Sequence, residues 1–232
     1  VITDDSYKKT LEFCKSYLKR FGVDCTIVPF GDYDALERAI KENTRFIFSE
    51  SPTNPYLNVF DLVLLKKIAD KHHVMTLIDS TIATPINQRP LEFGIDLVTH
   101  SATKYLSGHN DILAGAVLGS KELIAPIRSL HKSMGGLIDA HCCYLLLRGL
   151  KTFPMRVERQ NATALEVAAF LESRTGVERV YYPFLKSHQN YAIAKEQMTG
   201  GGCVVTFVIK GDLEDANRFL DSLEMIYIGP SF

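Results

Sequence analysis

The sequence predicts an α/β fold, a mostly parallel sheet with helices on both faces, followed by the start of a smaller α+β C-terminal domain. Three observations predict it. Apolar runs of strand length recur with little alternation, as expected of strands buried on both faces. Helical patterns separate these runs, as βαβ units do. After Pro154 the order changes to one long helical pattern, two strands and a helix.

Taken in order, Cys25-Thr26-Ile27-Val28-Pro29 is read as a strand, and Asp34 to Glu42 as a helix with Asp34 as its N-cap. Arg45 to Ser49 is the next strand, and the turn-rich Ser51-Pro52-Thr53-Asn54-Pro55 follows it. Asp61 opens a helix with Leu64, Leu65, Ile68 and Ala69 on its apolar face. Strands are expected at Val74 to Ile78, Ile95 to Thr99 and Ala114 to Leu118. Met155 to Ser173 is one helix, Val177 to Tyr182 and Cys203 to Ile209 are strands, and Asp212 to Leu223 is a closing helix. The expected division is a large domain over 1–154, and a linking helix with an incomplete small domain over 155–232. Gly200-Gly201-Gly202 lacks the strand–turn–helix setting of a dinucleotide loop and reads as a flexible turn.

Composition narrows the function. The chain has 232 residues, 46% hydrophobic and 23% charged, with a formal net charge of −1. No basic run supports nucleic-acid or membrane-surface binding, and no apolar stretch approaches a membrane span. Five cysteines, an odd number without a C-x-x-C pair, fit a reducing compartment. Adjacent Cys142 and Cys143 lie on a helical pattern and read as small packing residues rather than a redox pair. The seven histidines show no metal-ligand spacing, and His72-His73 falls at a helix end, so no metal site is expected. No G-x-S-x-G elbow supports a hydrolase triad. Tyr181-Tyr182 reads as strand packing. The start at Val1 and the stop after Pro230-Ser231-Phe232 suggest a fragment of a longer protein, from which a targeting segment would be missing.

Two strands end in polar residues of a particular kind. Asp79 follows Ile78, and Ser101-Ala102-Thr103-Lys104 follows the next strand. Ligands of parallel α/β sheets bind outside the carboxyl ends of the strands, so neighbouring strands would bring Asp79 and Lys104 to one crevice. A lysine amine that condenses with an aldehyde, and a carboxylate that keeps a pyridine nitrogen protonated, are what a pyridoxal phosphate (PLP) site needs. Ser101 and Thr103 would donate to its phosphate, and Tyr7 would cover the ring. Taken singly, each motif has a plainer reading: Ser-x-Thr-Lys is usually a solvated turn, and an Asp after a strand is usually a helix cap.

Together, however, the motifs resemble one family. Asp5-Ser6-Tyr7-Lys8-Lys9-Thr10, Glu50-Ser51-Pro52-Thr53-Asn54-Pro55, Leu77-Ile78-Asp79-Ser80-Thr81 and His100-Ser101-Ala102-Thr103-Lys104-Tyr105-Leu106-Ser107-Gly108-His109 are similar to runs of the Cys/Met metabolism PLP-dependent enzymes. Arg148-Gly149-Leu150-Lys151-Thr152 is similar to the run after that family's active-site lysine. The resemblance covers the chain in order. Thr84-Pro85-Ile86-Asn87-Gln88 and Gly108-His109-Asn110-Asp111 most resemble the cystathionine γ-synthase branch, whereas the lyases and sulfhydrylases share most other motifs.

The resemblance implies the PLP-dependent transferase type I fold and a homotetramer whose active sites are shared across a dimer. It implies that Lys104 is the Schiff-base lysine, that Asp79 faces the pyridinium, that Ser101 and Thr103 contact phosphate, and that Tyr7 stacks on the ring. Asn54 would lie near the cofactor's phenolic oxygen or the substrate carboxylate, and Ser231 at the substrate site. The family's phosphate loop and neighbour-lent Tyr/Arg pair would precede this chain, and its carboxylate-gripping arginine would follow it. Lys8 and Lys9 stand where many members carry small residues. The implied activity is γ-replacement on an activated homoserine by cysteine, giving cystathionine for methionine biosynthesis. The alternatives are a γ- or β-lyase that breaks C–S bonds in cystathionine or methionine, and a non-catalytic assembly or PLP-binding fragment. The expected compartment is the cytoplasm, or a plastid if a transit peptide is missing.

Overall fold

The computed structural model describes residues 1–229; Ser231 lies outside them. Six strands form the main sheet: β1 (Ile2–Thr3), β2 (Ile27–Val28), β3 (Phe46–Glu50), β4 (Met75–Asp79), β5 (Leu97–Ser101) and β6 (Gly115–Gly119). Their spatial order is β2-β1-β3-β4-β5-β6. The first five are mutually parallel, and β6 runs antiparallel to β5. A second, two-stranded antiparallel sheet pairs β7 (Val177–Tyr181) with β8 (Thr206–Ile209). Every strand expected from the sequence is present within three residues of its predicted ends. In addition, Ile2–Thr3 inserts between β2 and β3.

The helices follow from their caps. α1 (Lys8–Glu12) continues through a looser π turn and a 3-10 turn to Gly22, whose φ of 73° ends it. α2 (Tyr33–Arg38) is shorter than the expected Asp34–Glu42 helix and is capped by Asp32, whose carboxylate accepts from the Ala35 N–H at 2.7 Å. Asp34 sits inside the first turn instead. A turn closed by Lys41 and Thr44 stops the helix from reaching Glu42. α3 (Leu62–His72) starts at Asp61 as predicted, with its carboxylate accepting from the Leu64 N–H at 2.9 Å. It ends on His73 at φ 55°, and His72 hydrogen-bonds Glu37.

The remaining helices are α4 (Thr84–Asn87), α5 (Lys121–Met134), α6 (Ala140–Leu150), α7 (Phe153–Glu172), α8 (Tyr191–Gln197) and α9 (Leu213–Asp221). Among the described residues no helix is long and apolar enough to cross a membrane. Cys142 and Cys143 lie half-buried on α6, and all five cysteines are free.

The main core packs Ile47, Ile78 and Val98 of the sheet against Leu62, Leu65, Ile68 and Ala69 of α3, closed by Phe60. Burying a side chain of this size stabilises by roughly 1.5–3 kcal/mol. A second core joins Ala164 and Ala168 of α7 to Val180, Tyr182 and Leu185. A polar seam ties α4, α7 and the triple-glycine turn together. Asn87 and Asn161 exchange amide bonds, Asn161 accepts from the Gly202 N–H, and the Tyr182 hydroxyl donates to the Gly202 carbonyl at 2.9 Å. Gly201 is required there, because an added Cβ would come within 2.6 Å of the Tyr182 ring.

Candidate active site

The parallel register places three polar strand ends along one edge. Glu50 ends β3, Asp79 ends β4 and Ser101 ends β5, with Glu50 paired to Asp79 and Asp79 to Thr99. Beyond the end of β1 lie Asp5 and Tyr7. This is the carboxyl edge, where ligands of such sheets bind.

Asp79 is held by Thr81. Its Oδ1 accepts the Thr81 N–H at 2.9 Å and the Thr81 hydroxyl at 2.5 Å. The same hydroxyl accepts the Ser101 N–H at 2.8 Å, so one side chain fixes the Asp79 carboxylate to the strand that leads to Lys104. Burial raises the Asp79 pKa despite these bonds, with His100 a weaker opposing influence. Beside it, burial pushes Glu50 up to about 8, with Asp79 and Asp5 adding to the shift and the Tyr7 N–H opposing it.

Lys104 lies on a tight turn that continues β5. The Lys104 N–H bonds the Ser101 carbonyl, the Ser107 N–H bonds Ala102, and the Gly108 N–H returns to the Lys104 carbonyl at 2.8 Å. Arg156 of α7 clamps this turn, donating to the Tyr105 carbonyl at 3.0 Å and the Gly149 carbonyl at 2.9 Å. Gly108 leaves room for the guanidinium, since a Cβ there would sit 1.9 Å from Nη1. From the other side Gly149 of α6 lets the helix touch the turn: its Cβ would meet the Ser107 carbonyl oxygen at 2.2 Å.

The other predicted residues are less concentrated. The Thr103 hydroxyl is engaged with the Ala114 backbone, accepting its N–H at 2.9 Å and donating to its carbonyl at 3.2 Å. Donation to a phosphate would require it to turn away from that carbonyl. Tyr7 caps the start of α1 with its side chain 52% exposed, so its ring is accessible. Asn54 is exposed and lines a cleft of about 570 Å³ with Asp4, Asp5, Lys8 and Tyr56. Asp5 pins the Asn54 loop by accepting from the Thr53 hydroxyl and the Asn58 amide. Lys104 opens instead onto a separate cavity of about 390 Å³ bounded by Gly108, Gln160 and Cys203. Glu50, Thr81 and Arg156 were not singled out by sequence reasoning. Glu50 and Thr81 lie within the recognised runs, and their positions at strand ends were the available signal. Nothing in the sequence marks Arg156, because its contact with the lysine turn is to the Tyr105 carbonyl, 51 positions away in the chain.

A buried carboxylate whose ionised form burial disfavours, with a second buried acid beside it, suits a cationic ring nitrogen better than a neutral ligand. The residues therefore fit a PLP-type cofactor. Fold and edge chemistry together define an α/β domain whose carboxyl edge carries residues suited to such a cofactor. The family model for Cys/Met metabolism PLP-dependent enzymes matches residues 1–232, and the chain belongs to that family. It is 47% identical to cystathionine gamma-synthase 1, chloroplastic, of Arabidopsis thaliana, covering 100% of this chain and 41% of that protein. It is 40% identical to the L-methionine gamma-lyase of Fusobacterium nucleatum subsp. nucleatum, covering 100% of this chain and 60% of that protein. The solved cystathionine gamma-lyase of Lactobacillus plantarum, complexed with L-serine, superposes with a TM-score of 0.94 at 33% identity, covering 99% of this chain and 61% of that one. The chain thus spans about two-fifths to three-fifths of the length of these relatives.

Proposed function

We propose that the protein containing this chain is a PLP-dependent trans-sulfuration enzyme that performs γ-replacement on an activated homoserine with cysteine, forming cystathionine. The single observation that carries the reading is the joining of Asp79 to the Lys104 strand through Thr81, on the edge where Tyr7 also lies. The choice of a synthase rests on its similarity to cystathionine gamma-synthases, 45–47% identical to this chain, against 38–40% for the methionine and cystathionine lyases.

The bound cofactor supplies an aldehyde that takes up primary amines and a ring that accepts electrons. In this reading Lys104 Nζ holds the cofactor, then carries protons between the α and β carbons of the substrate. Asp79 keeps the proton on the ring nitrogen. Ser101, with Thr103 once its hydroxyl turns, binds phosphate. Tyr7 covers the ring and takes the proton of the incoming amine. Asn54 orients the phenolic oxygen or the substrate carboxylate, with Ser231 assigned to the substrate site. The domain division at 154/155 puts the cofactor edge in the first unit and leaves the second to shape the substrate side.

A homotetramer with active sites shared across a dimer is part of the proposal. α5 buries no residue within this chain, and Leu130, Met134, Leu137 and Leu147 are exposed on α5, α6 and the link between them. Free cysteines support a reducing cytoplasm, and similarity to chloroplastic relatives supports the plastid as the other location; fractionation separates the two. The test of activity is product analysis from activated homoserine with and without cysteine in the full-length protein. Cystathionine is expected. Release of 2-oxobutanoate without cystathionine supports the lyase reading favoured by the solved neighbour, and neither product indicates a non-catalytic fragment.

A further inference from the structure

Glu50 is a buried acidic side chain at the edge that the proposed chemistry does not use. It is 6% exposed. Its register partner is Asp79, so both carboxyls leave the sheet on the same face of adjacent parallel strands. Its Oε1 accepts the backbone N–H of Tyr7, the residue that opens α1. The groups facing it are Asp79 from β4, Asp5 from the segment after β1 and that N–H, while His100 of β5 reaches the pair through Asp79.

We propose that Glu50 is a positioning residue that couples Asp79 to Tyr7: it shares one negative charge with Asp79 while its carboxyl anchors the Tyr7 backbone. A glutamine would anchor the same N–H without the cost of burying an acid between two aspartates. What the acid adds is a charge that responds to its neighbour. Burial first, with the charge of Asp79 adding to it, keeps Glu50 neutral when no cation sits at Asp79. A protonated ring nitrogen at Asp79 cancels that charge and eases the ionisation of Glu50. An ionised acceptor binds the Tyr7 N–H about twice as strongly as a neutral one, so seating the cofactor tightens the residue that covers it. This deepens the proposed function and rests on its placement of the cofactor nitrogen at Asp79.

The experiment is pH-difference infrared spectroscopy of the cofactor-free full-length protein, with isotopically labelled glutamate identifying the carboxyl band. A protonated-carboxyl band is expected to disappear with a midpoint of about 8 and to be absent from Glu50→Gln. Asp79→Asn is expected to lower that midpoint. An ultraviolet difference signal removed by Tyr7→Phe is expected to titrate with the same midpoint. Adding pyridoxal phosphate lowers the midpoint in the wild type. A band that survives in Glu50→Gln, a midpoint unmoved by Asp79→Asn, or a Tyr7 signal that ignores the titration overturns the inference. A midpoint that follows Asp79→Asn but ignores pyridoxal phosphate upholds the coupling and refutes the cofactor placement instead.

Discussion

Replacing Thr81 with valine removes one hydroxyl from a nearly isosteric side chain. Two interactions go with it: the 2.5 Å bond to Asp79 and the 2.8 Å acceptor for the Ser101 N–H. A backbone donor left without its partner costs about 1–3 kcal/mol, and a bond to a charged group contributes about 1.5–3 kcal/mol. The second contribution is partial here because the Thr81 N–H still reaches Asp79 at 2.9 Å. Thr81→Val should therefore destabilise the protein by about 2–4 kcal/mol in urea unfolding. Losing a donor to the ionised form also moves Asp79 further up from its already raised pKa. The acid limb of cofactor absorbance in the full-length protein should then shift to higher pH. Thr81→Ser keeps the hydroxyl and should stay within about 1 kcal/mol of the wild type with its acid limb in place. Equal unfolding midpoints and titrations for the two variants would refute the bridging role of Thr81.

Lys104→Ala should abolish the visible absorbance of the bound cofactor in the full-length protein; survival of that absorbance removes the lysine assignment. Gly149→Ala should lower stability by about 3 kcal/mol, because backbone lies on both sides of the contact and neither can yield locally. Gly22→Ala, with nothing within 4 Å and a left-handed φ of 73°, should cost only about 1 kcal/mol, so calorimetry showing equal losses would dismiss the close approach of α6. Glu50 binds its proton more tightly folded than unfolded, so its stabilising contribution is complete below about pH 4.5 and is lost as pH rises to about 8. Urea titrations of cofactor-free protein should show this decline, and Glu50→Gln should flatten it; an unchanged slope contradicts the burial argument.

Every strand but β1 is legible as a short apolar run, β1 being only two residues long, and α3 is legible because Asp61 announces its start. α5 is not legible: it contains Pro126 and fully buries no residue, with only Leu123 and Ile124 half-buried at its start beside β6. α2 was misjudged at its cap because Asp32 and Asp34 are equally good acceptors by composition. The backbone decides between them, with Gly31 at φ 78° turning the chain just before Asp32. At the site, strand-end logic brings Asp79 and Lys104 forward as candidates, and the family resemblance supplies the roles proposed for them. The engagement of Thr103 with Ala114 could not be read, since it depends on how the turn closes against the start of β6.

The distribution of charge along the edge decides how the site must work. Asp5, Glu50 and Asp79 are acids on adjacent segments, while Arg156 spends its donors on the carbonyls of Tyr105 and Gly149 and on the Thr152 hydroxyl. Arg156 therefore shapes the turn, while burial raises both Glu50 and Asp79. A site built in this way favours a ligand that brings its own positive charge to Asp79. The same burial makes the cofactor-free edge sensitive to pH, because it favours the acids' holding a proton. Glu50 is the member most exposed to that pressure: it is flanked by Asp5 on one side and Asp79 on the other, and its one described donor is the backbone of Tyr7.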